Sequence, residues 1–216
     1  MQICPNCKSE VNDSDMFCAS CGYNLSAKKN NSSKLVKIII VAIILAVVIL
    51  AVGKVVYDKF ARADYINRIE ECSYTMIDGA SVAEDACNKI VAVWNNAIWN
   101  NQDIETDKYT MDEGGFFYED FNDALDNLFE DDDFLNDLKD INDNLEEVNE
   151  MMRELQDPPN GCKQIHDAFM DFYDEYYELV NYALDPTGSL ETYSDDFSET
   201  DEKCAKYFDK LQVYFE

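Results

Sequence analysis

Four of the eight cysteines in this 216-residue chain stand near its N-terminus as two Cys-x-x-Cys pairs. The pairs are Cys4 with Cys7 and Cys18 with Cys21, and ten residues separate them. Each such turn can present two sulfurs to one ion, and zinc prefers four soft ligands in a tetrahedron. We therefore predict that Cys4, Cys7, Cys18 and Cys21 bind one Zn²⁺ ion.

The segment that carries these cysteines is too short to bury a core, so the metal would supply its folding energy. Two disulfides or a thioredoxin-like redox pair are the alternative interpretations. The first requires an oxidising compartment, and the second lacks a βαβ pattern around either pair. Four cysteine ligands leave no open catalytic position. Residues 1–34 carry four lysines and three acids, a charge balance that disfavours nucleic-acid binding as a function.

The sequence CPNC at 4–7 followed by FCASCGYNL at 17–25 resembles the short N-terminal zinc ribbon of many bacterial membrane proteins, chiefly from Gram-positive species. The resemblance covers residues 3–25. Lys8 stands where those ribbons usually have glycine after the first pair, so that turn is expected to differ. The resemblance implies a zinc ribbon at 1–25, a polar linker at 26–34, one membrane span and an extracytoplasmic domain.

An apolar run from Leu35 to Val56 comes next, with 16 uncharged residues between Lys37 and Lys54. Its 22 residues extend about 33 Å as a helix, enough to cross a hydrocarbon core of about 30 Å. A buried soluble helix would have a polar face, and a cleaved signal peptide would be followed by a small-residue cleavage site. We predict a transmembrane helix at 35–56.

The orientation of this span cannot be read from its flanking charges, because four basic residues closely precede its uncharged core at 38–53 and four come after that core. A thiolate zinc site belongs in a reducing compartment, and uncleaved N-terminal anchors ordinarily export the domain on their C-terminal side. We expect a single-pass protein of the cell membrane with a cytoplasmic N-terminus and an extracellular C-terminus.

Residues 57–216 form an acidic region with 42 acidic and 11 basic side chains. Apolar residues recur there at intervals of three and four, and proline occurs only in the breakers at 157–161 and 185–188. The fold class is therefore mainly α, with an extracytoplasmic antiparallel three- or four-helix bundle at 57–216. A polar connection is predicted at 99–115, with an acidic helix after it at about 116–129.

The remaining cysteines of this region are either buried free thiols or disulfides. The pairing hypothesis joins Cys72 to Cys162 and Cys87 to Cys204. The four tyrosines at 173, 176, 177 and 182 are too many for one helix seam, so some are expected on a partner surface.

Candidate catalytic groups are few, because His166 is the single histidine and is expected to be solvated or to cap a helix. No catalytic residue is assigned, and the chain is predicted not to be an enzyme. No EF-hand order of ligands occurs among the acids, so specific calcium binding is not predicted.

The acidic region resembles, as a whole, the extracytoplasmic helical domains of uncharacterised zinc-ribbon membrane proteins from Gram-positive bacteria. The resemblance lies in VWNNAI at 93–98, DPPNGCK at 157–163 and DPTGSLETYSDDF at 185–197. We therefore expect a non-enzymatic envelope protein whose helical domain binds an unidentified protein partner and whose ribbon docks in the cytosol. The alternative is a transmembrane sensor or regulator that relays an envelope signal to the ribbon.

Overall fold

The chain is described by a computed structural model over residues 2–26 and 32–215, with the backbone alone for 32–34. The described residues are mainly helical, which confirms the mainly α part of the predicted fold class. Contacts divide the chain into two compact units, Met1–Val56 and Tyr57–Glu216. In these ranges the elements are β1 Gln2–Ile3, β2 Glu10–Val11, α1 Ser32–Trp99, α2 Asp107–Thr110, α3 Phe121–Phe129, α4 Asp132–Glu154, α5 Lys163–Leu184 and α6 Leu190–Gln212.

The first part of α1 is the apolar segment, and it is long and apolar enough to cross a membrane. None of the residues in its most apolar stretch is buried against any described part of the chain. Leu50, for example, is 72% exposed. A core helix of a soluble domain would be covered by its neighbours. Most of the predicted linker, residues 27–31, lies outside the described residues.

The second part of α1 packs against α4, which runs in the opposite direction. Arg68 forms an ion pair with Glu154 at the end of α4, whereas Lys89 lies 3.4 Å from Asp137 near its beginning. The α1 face toward the core consists of apolar residues at helical spacing. These buried residues are Tyr65, Ile69, Cys72, Met76, Ala80, Ala83, Ala86, Cys87, Ile90, Val93, Trp94 and Ala97.

Helices α5 and α6 complete the core of the second unit. The hydroxyl of Tyr173 on α5 donates to Asn149 on α4 over 2.7 Å. Between α5 and α6, the rings of Phe172 and Phe208 are 5.5 Å apart, and the Tyr193 hydroxyl donates to the Tyr182 carbonyl at 2.9 Å. The numbering of these contacts makes α6 antiparallel to α5. The helices therefore enclose one continuous apolar core.

Gly79 allows α1 to approach α4 closely. A Cβ atom at this position would overlap the side-chain amide of Asn144. Asn144 donates to the Thr75 carbonyl at 3.0 Å and accepts from the Tyr176 hydroxyl at 2.6 Å. One amide therefore links three helices, because the chain has no side chain at residue 79.

The predicted acidic helix begins five residues later than expected, at Phe121 rather than at residue 116. Phe117 instead forms an antiparallel bridge with Met111. Asp120 caps α3, because its carboxylate accepts a hydrogen bond from the Asn122 backbone at 2.9 Å. Residues 99–115 also contain the short helix α2, where the sequence predicts only a polar connection.

The pairing of Cys72 with Cys162 is wrong, because both are buried free thiols. Cys162 interacts electrostatically with Arg62 and Tyr65 near the start of the second unit. Cys72 is seven residues beyond Tyr65 on α1, about 10 Å along the helix axis. A disulfide requires Cα atoms within about 7 Å of each other.

The pairing of Cys87 with Cys204 is also wrong, and both are again buried free thiols. Cys87 interacts with the Tyr193 side chain. Cys204 lies eleven residues after Tyr193, about 16 Å farther along α6. Cys204 instead interacts electrostatically with Tyr176. The two thiols are therefore at different levels of the core.

Candidate metal centre

Two similar turns hold the four N-terminal cysteines. In the first, the Cys4 backbone N–H donates to the Ser9 carbonyl, and the Lys8 N–H donates to the Cys4 carbonyl, both over 2.9 Å. In the second turn, the Cys18 backbone N–H donates to the Tyr23 carbonyl, and the Gly22 N–H donates to the Cys18 carbonyl, both over 2.8 Å. The strands β1 and β2 close the first turn.

The residue after each second cysteine adopts the left-handed backbone conformation. Lys8 has φ of 61° and Gly22 has φ of 68°. Glycine adopts this region freely, whereas for another L-residue it costs about 1–2 kcal/mol. Lys8 therefore adopts the same turn geometry as Gly22 and adds strain to the first turn, whereas the sequence predicts that this turn differs.

The four sulfurs come together from the two turns. The Sγ atoms of Cys4 and Cys21 are 3.7 Å apart, and those of Cys7 and Cys18 are 3.5 Å apart. All four sulfurs lie within 4.8 Å of one another. Four thiolates at about 2.3 Å from a central zinc ion have edges of about 3.8 Å. The cluster therefore has the size of a tetrahedral four-sulfur metal site, and none of its cysteines is in a disulfide.

The surroundings of the sulfurs are unequal. Cys4 and Cys18 are buried, whereas Cys7 and Cys21 are exposed. Hydrogen bonding by the Ser9 side chain and backbone lowers the pKa of Cys7 to about 6, while burial raises the pKa of Cys18 to about 11. Asn6 donates its side-chain N–H to the Cys21 sulfur at 3.6 Å. Four adjacent thiolates would repel one another, so a bound dication would be needed for all four thiols to be deprotonated together.

The apolar material around this cluster is small. Val11 is buried with Cys4 and Cys18, and Leu25 packs against them. Such a core is too small to fold a segment of this length by itself. The four cysteines can hold a metal ion, which would stabilise the segment around them. Ser9 and Asn6, which contact the sulfurs, are not evident from the sequence because only the folded turns bring them close.

The single histidine is part of a structural hydrogen-bond chain. The Tyr65 oxygen is 2.7 Å from His166 Nδ1 and 2.8 Å from the Leu155 carbonyl. Because a carbonyl only accepts, Tyr65 donates to Leu155 and accepts from His166 Nδ1–H. Burial raises the pKa of Tyr65 to about 12. His166 is thus half-buried and hydrogen-bonded to Tyr65. The sequence instead predicts a solvated or helix-capping histidine.

The tyrosines expected on a partner surface differ in exposure. Tyr176 is fully buried, and Tyr173 and Tyr182 are half-buried against the core. Tyr177 is exposed at 43%.

Comparisons with protein-family models, with curated proteins and with solved structures gave no match for this chain. Its function is therefore inferred from the geometry of the cysteine cluster and from the properties of the two units.

Proposed function

We propose that this chain is a non-enzymatic, single-pass membrane protein of the bacterial envelope. A zinc ribbon at 1–25 docks on the cytosolic side, and an antiparallel four-helix bundle at 57–216 binds a protein partner outside the cell. The observation that carries the proposal is the order of three unlike parts. A four-thiol cluster precedes an exposed apolar helical segment, and a well-packed acidic domain comes after it.

Zinc is the proposed metal because of the donor set. Four cysteine thiolates at tetrahedral spacing are typical of structural zinc sites. Cys4, Cys7, Cys18 and Cys21 would hold the ion, and their hydrogen-bonded backbone turns would fix its position. With no position left for water or substrate, the ion would organise the ribbon rather than catalyse a reaction.

A membrane location is supported by the exposure of the apolar part of α1. Its side chains are covered by lipid if the segment spans a bilayer, and by nothing in the described chain otherwise. The non-enzymatic assignment is supported by His166, whose Nδ1 is bonded to Tyr65. A histidine with Nδ1 engaged in this way keeps only Nε2 for other contacts.

Metal analysis and protease accessibility test the proposal together. The full chain, purified in detergent, is expected to contain one zinc ion per chain, and Cys18→Ser is expected to lose it. Protease added to intact cells is expected to cleave within 57–216 and to spare an N-terminal tag. A chain without zinc contradicts the metal assignment, and protection of 57–216 contradicts the orientation.

A second candidate function is a transmembrane sensor that relays an external event to the ribbon. The observation that favours it is α1, which is helical from Ser32 to Trp99 and contributes to both units. Deletion of residues 1–25 separates the two candidates. It abolishes an envelope response if the chain is a sensor, and it leaves partner binding outside the cell intact in both cases.

A further inference from the structure

The second unit carries a concentration of exposed apolar side chains at the end of α1. Phe116 is 73% exposed, and Ile98 and Phe121 are each 37% exposed. These three residues line one cavity together with Phe117 and Glu119. We call this the Phe116 surface. Trp99, the residue after Ile98 in the chain, is 67% exposed.

Phe116 is held in its exposed position by an ordered turn. The Asp112 carboxylate accepts hydrogen bonds from the backbone of Gly114 at 2.8 Å and of Phe116 at 3.0 Å. Gly115 has φ of 79°, and the Asp112 N–H donates to the Phe116 carbonyl. Because these hydrogen bonds fix the backbone at Phe116, the turn loses little entropy when a partner covers it.

The charge around this surface is strongly negative. Residues 98–123 contain eight acids and one basic residue, Lys108. Lys108 is already paired with Asp131 at 2.7 Å and lies over the Tyr109 ring. Glu119 borders the apolar residues directly. A covering partner must therefore bring positive charge to complement these acids.

We propose that the Phe116 surface binds a basic protein segment with bulky apolar side chains. The proposed partner of the helical domain would carry this segment. This inference rests on the proposed function. A second copy of the chain does not fit, because residues 57–216 carry 42 acids against 11 basic residues and repel each other. An anionic lipid surface is repelled for the same reason.

The two tryptophans of the chain allow a direct test. Trp99 lies beside Ile98, and the Trp94 ring stacks on Phe121 at 6.3 Å between centroids. The probe is a short synthetic peptide that alternates lysine with leucine, and the control peptide has glutamate in place of lysine. The full chain is titrated with each peptide in nonionic detergent while tryptophan emission is recorded.

The lysine peptide is expected to shift the emission and to bind more weakly as salt rises from about 0.05 to about 0.5 M. Phe116→Ser is expected to weaken binding by about tenfold or more. The matched control is Val213→Ser, because Val213 is similarly exposed, at 70%, but lies at the end of α6. It is expected to change binding by less than about twofold.

Glu119→Lys is the second variant, and it replaces Phe116→Ser in the test if Phe116→Ser lowers the melting temperature of the helical domain. It alters an exposed side chain and is expected to weaken binding several-fold at low salt. Equal binding of both peptides, or equal binding by the Phe116→Ser and Val213→Ser chains, overturns the inference. Concentration-dependent dimerisation through Phe116 also overturns it. These results leave the proposed function intact, since zinc content and topology are measured separately.

Discussion

The ribbon and the helical domain reach a stable structure by different means. In the described ribbon, the buried residues are Cys4, Val11 and Cys18. The described helical domain instead buries a continuous core that extends from Tyr65 to Leu211. The buried residues of the ribbon are mostly cysteines of the candidate metal site, whereas those of the helical domain are mostly hydrocarbon. One chain therefore combines a unit whose folding is proposed to depend on a metal ion with a unit whose folding depends on packing.

The largest expected effect is that of metal removal. A chelator is expected to unfold residues 2–26 and to leave the helical domain folded, because structural zinc supplies about 10–16 kcal/mol to such small sites. Amide hydrogen exchange on the full chain measures both regions at once. Loss of protection in α4–α6 on chelation would show that the two units are not independent.

Matched cysteine substitutions sharpen the same contrast. Cys18→Ser is expected to remove the metal without changing helical unfolding. Cys204→Ser is expected to keep one metal per chain and to lower helical stability, because it places a hydroxyl in the core. If both variants lost the metal, or if both lowered helical stability, the two units would not be stabilised by different means.

The next largest effect is expected at the contact between α1 and α4. Gly79→Ala is expected to cost about 2–3 kcal/mol, because its Cβ displaces Asn144 and breaks two half-buried hydrogen bonds. Gly53→Ala on the same helix is the control, since a Cβ there meets no atom within 4 Å. Thermal unfolding measured by circular dichroism gives the difference, and metal content is expected to be unchanged in both.

Acidification is expected to stabilise the helical domain and to destabilise the ribbon. Burial raises the pKa values of Glu84 and Asp201, whose carboxylates also repel each other. A carboxyl with a raised folded pKa destabilises the fold above that pKa, and the cost disappears as pH falls below the unfolded value. The melting temperature of the helical domain is therefore expected to rise as the pH falls from neutral toward about 4, near the unfolded pKa values of these carboxyls.

The ribbon loses its metal over the same change, because its ligands must be deprotonated. Asp201→Asn is expected to flatten the pH dependence of helical melting, whereas exposed Asp209→Asn on the same helix leaves it unchanged. A helical melting temperature that falls with acidification in the native chain would contradict the assigned role of these carboxyls.

The smallest expected effect concerns the first ribbon turn. Lys8→Gly relieves the strain at φ of 61° but loosens the unfolded chain, so metal affinity is expected to rise about two- to fivefold. Gly22→Ala is expected to lower affinity, because it introduces the same strain into the second turn. Competition with a coloured chelator measures both. Equal affinities in all three chains would show that the metal dominates the turn energetics.

The features that the sequence predicts well are those that repeat locally. The two Cys-x-x-Cys pairs identify the cluster residues because each turn is closed within six residues. The helices α4, α5 and α6 are predicted by apolar residues at spacings of three and four. Their ends are indicated by proline and by local caps such as Ser189, which forms a capping box with Thr192.

The features that the sequence does not predict depend on distant contacts. Phe117 pairs with Met111 rather than entering α3, and no local pattern indicates this choice. His166 meets Tyr65 across 101 positions of sequence. The cysteine pairing is wrong for the same reason, because the levels of the thiols depend on how the helices align along one another.

The hydrogen bond between Arg62 and Asn160 has a consequence for the order in which the chain folds. It joins residues 98 positions apart, and Gly161 leaves room for the guanidinium beside it. During synthesis, the apolar face of α1 emerges well before α5 and α6 exist to cover it. Folding of the helical domain must therefore follow the synthesis of α5 and α6, which lie in the C-terminal part of the chain.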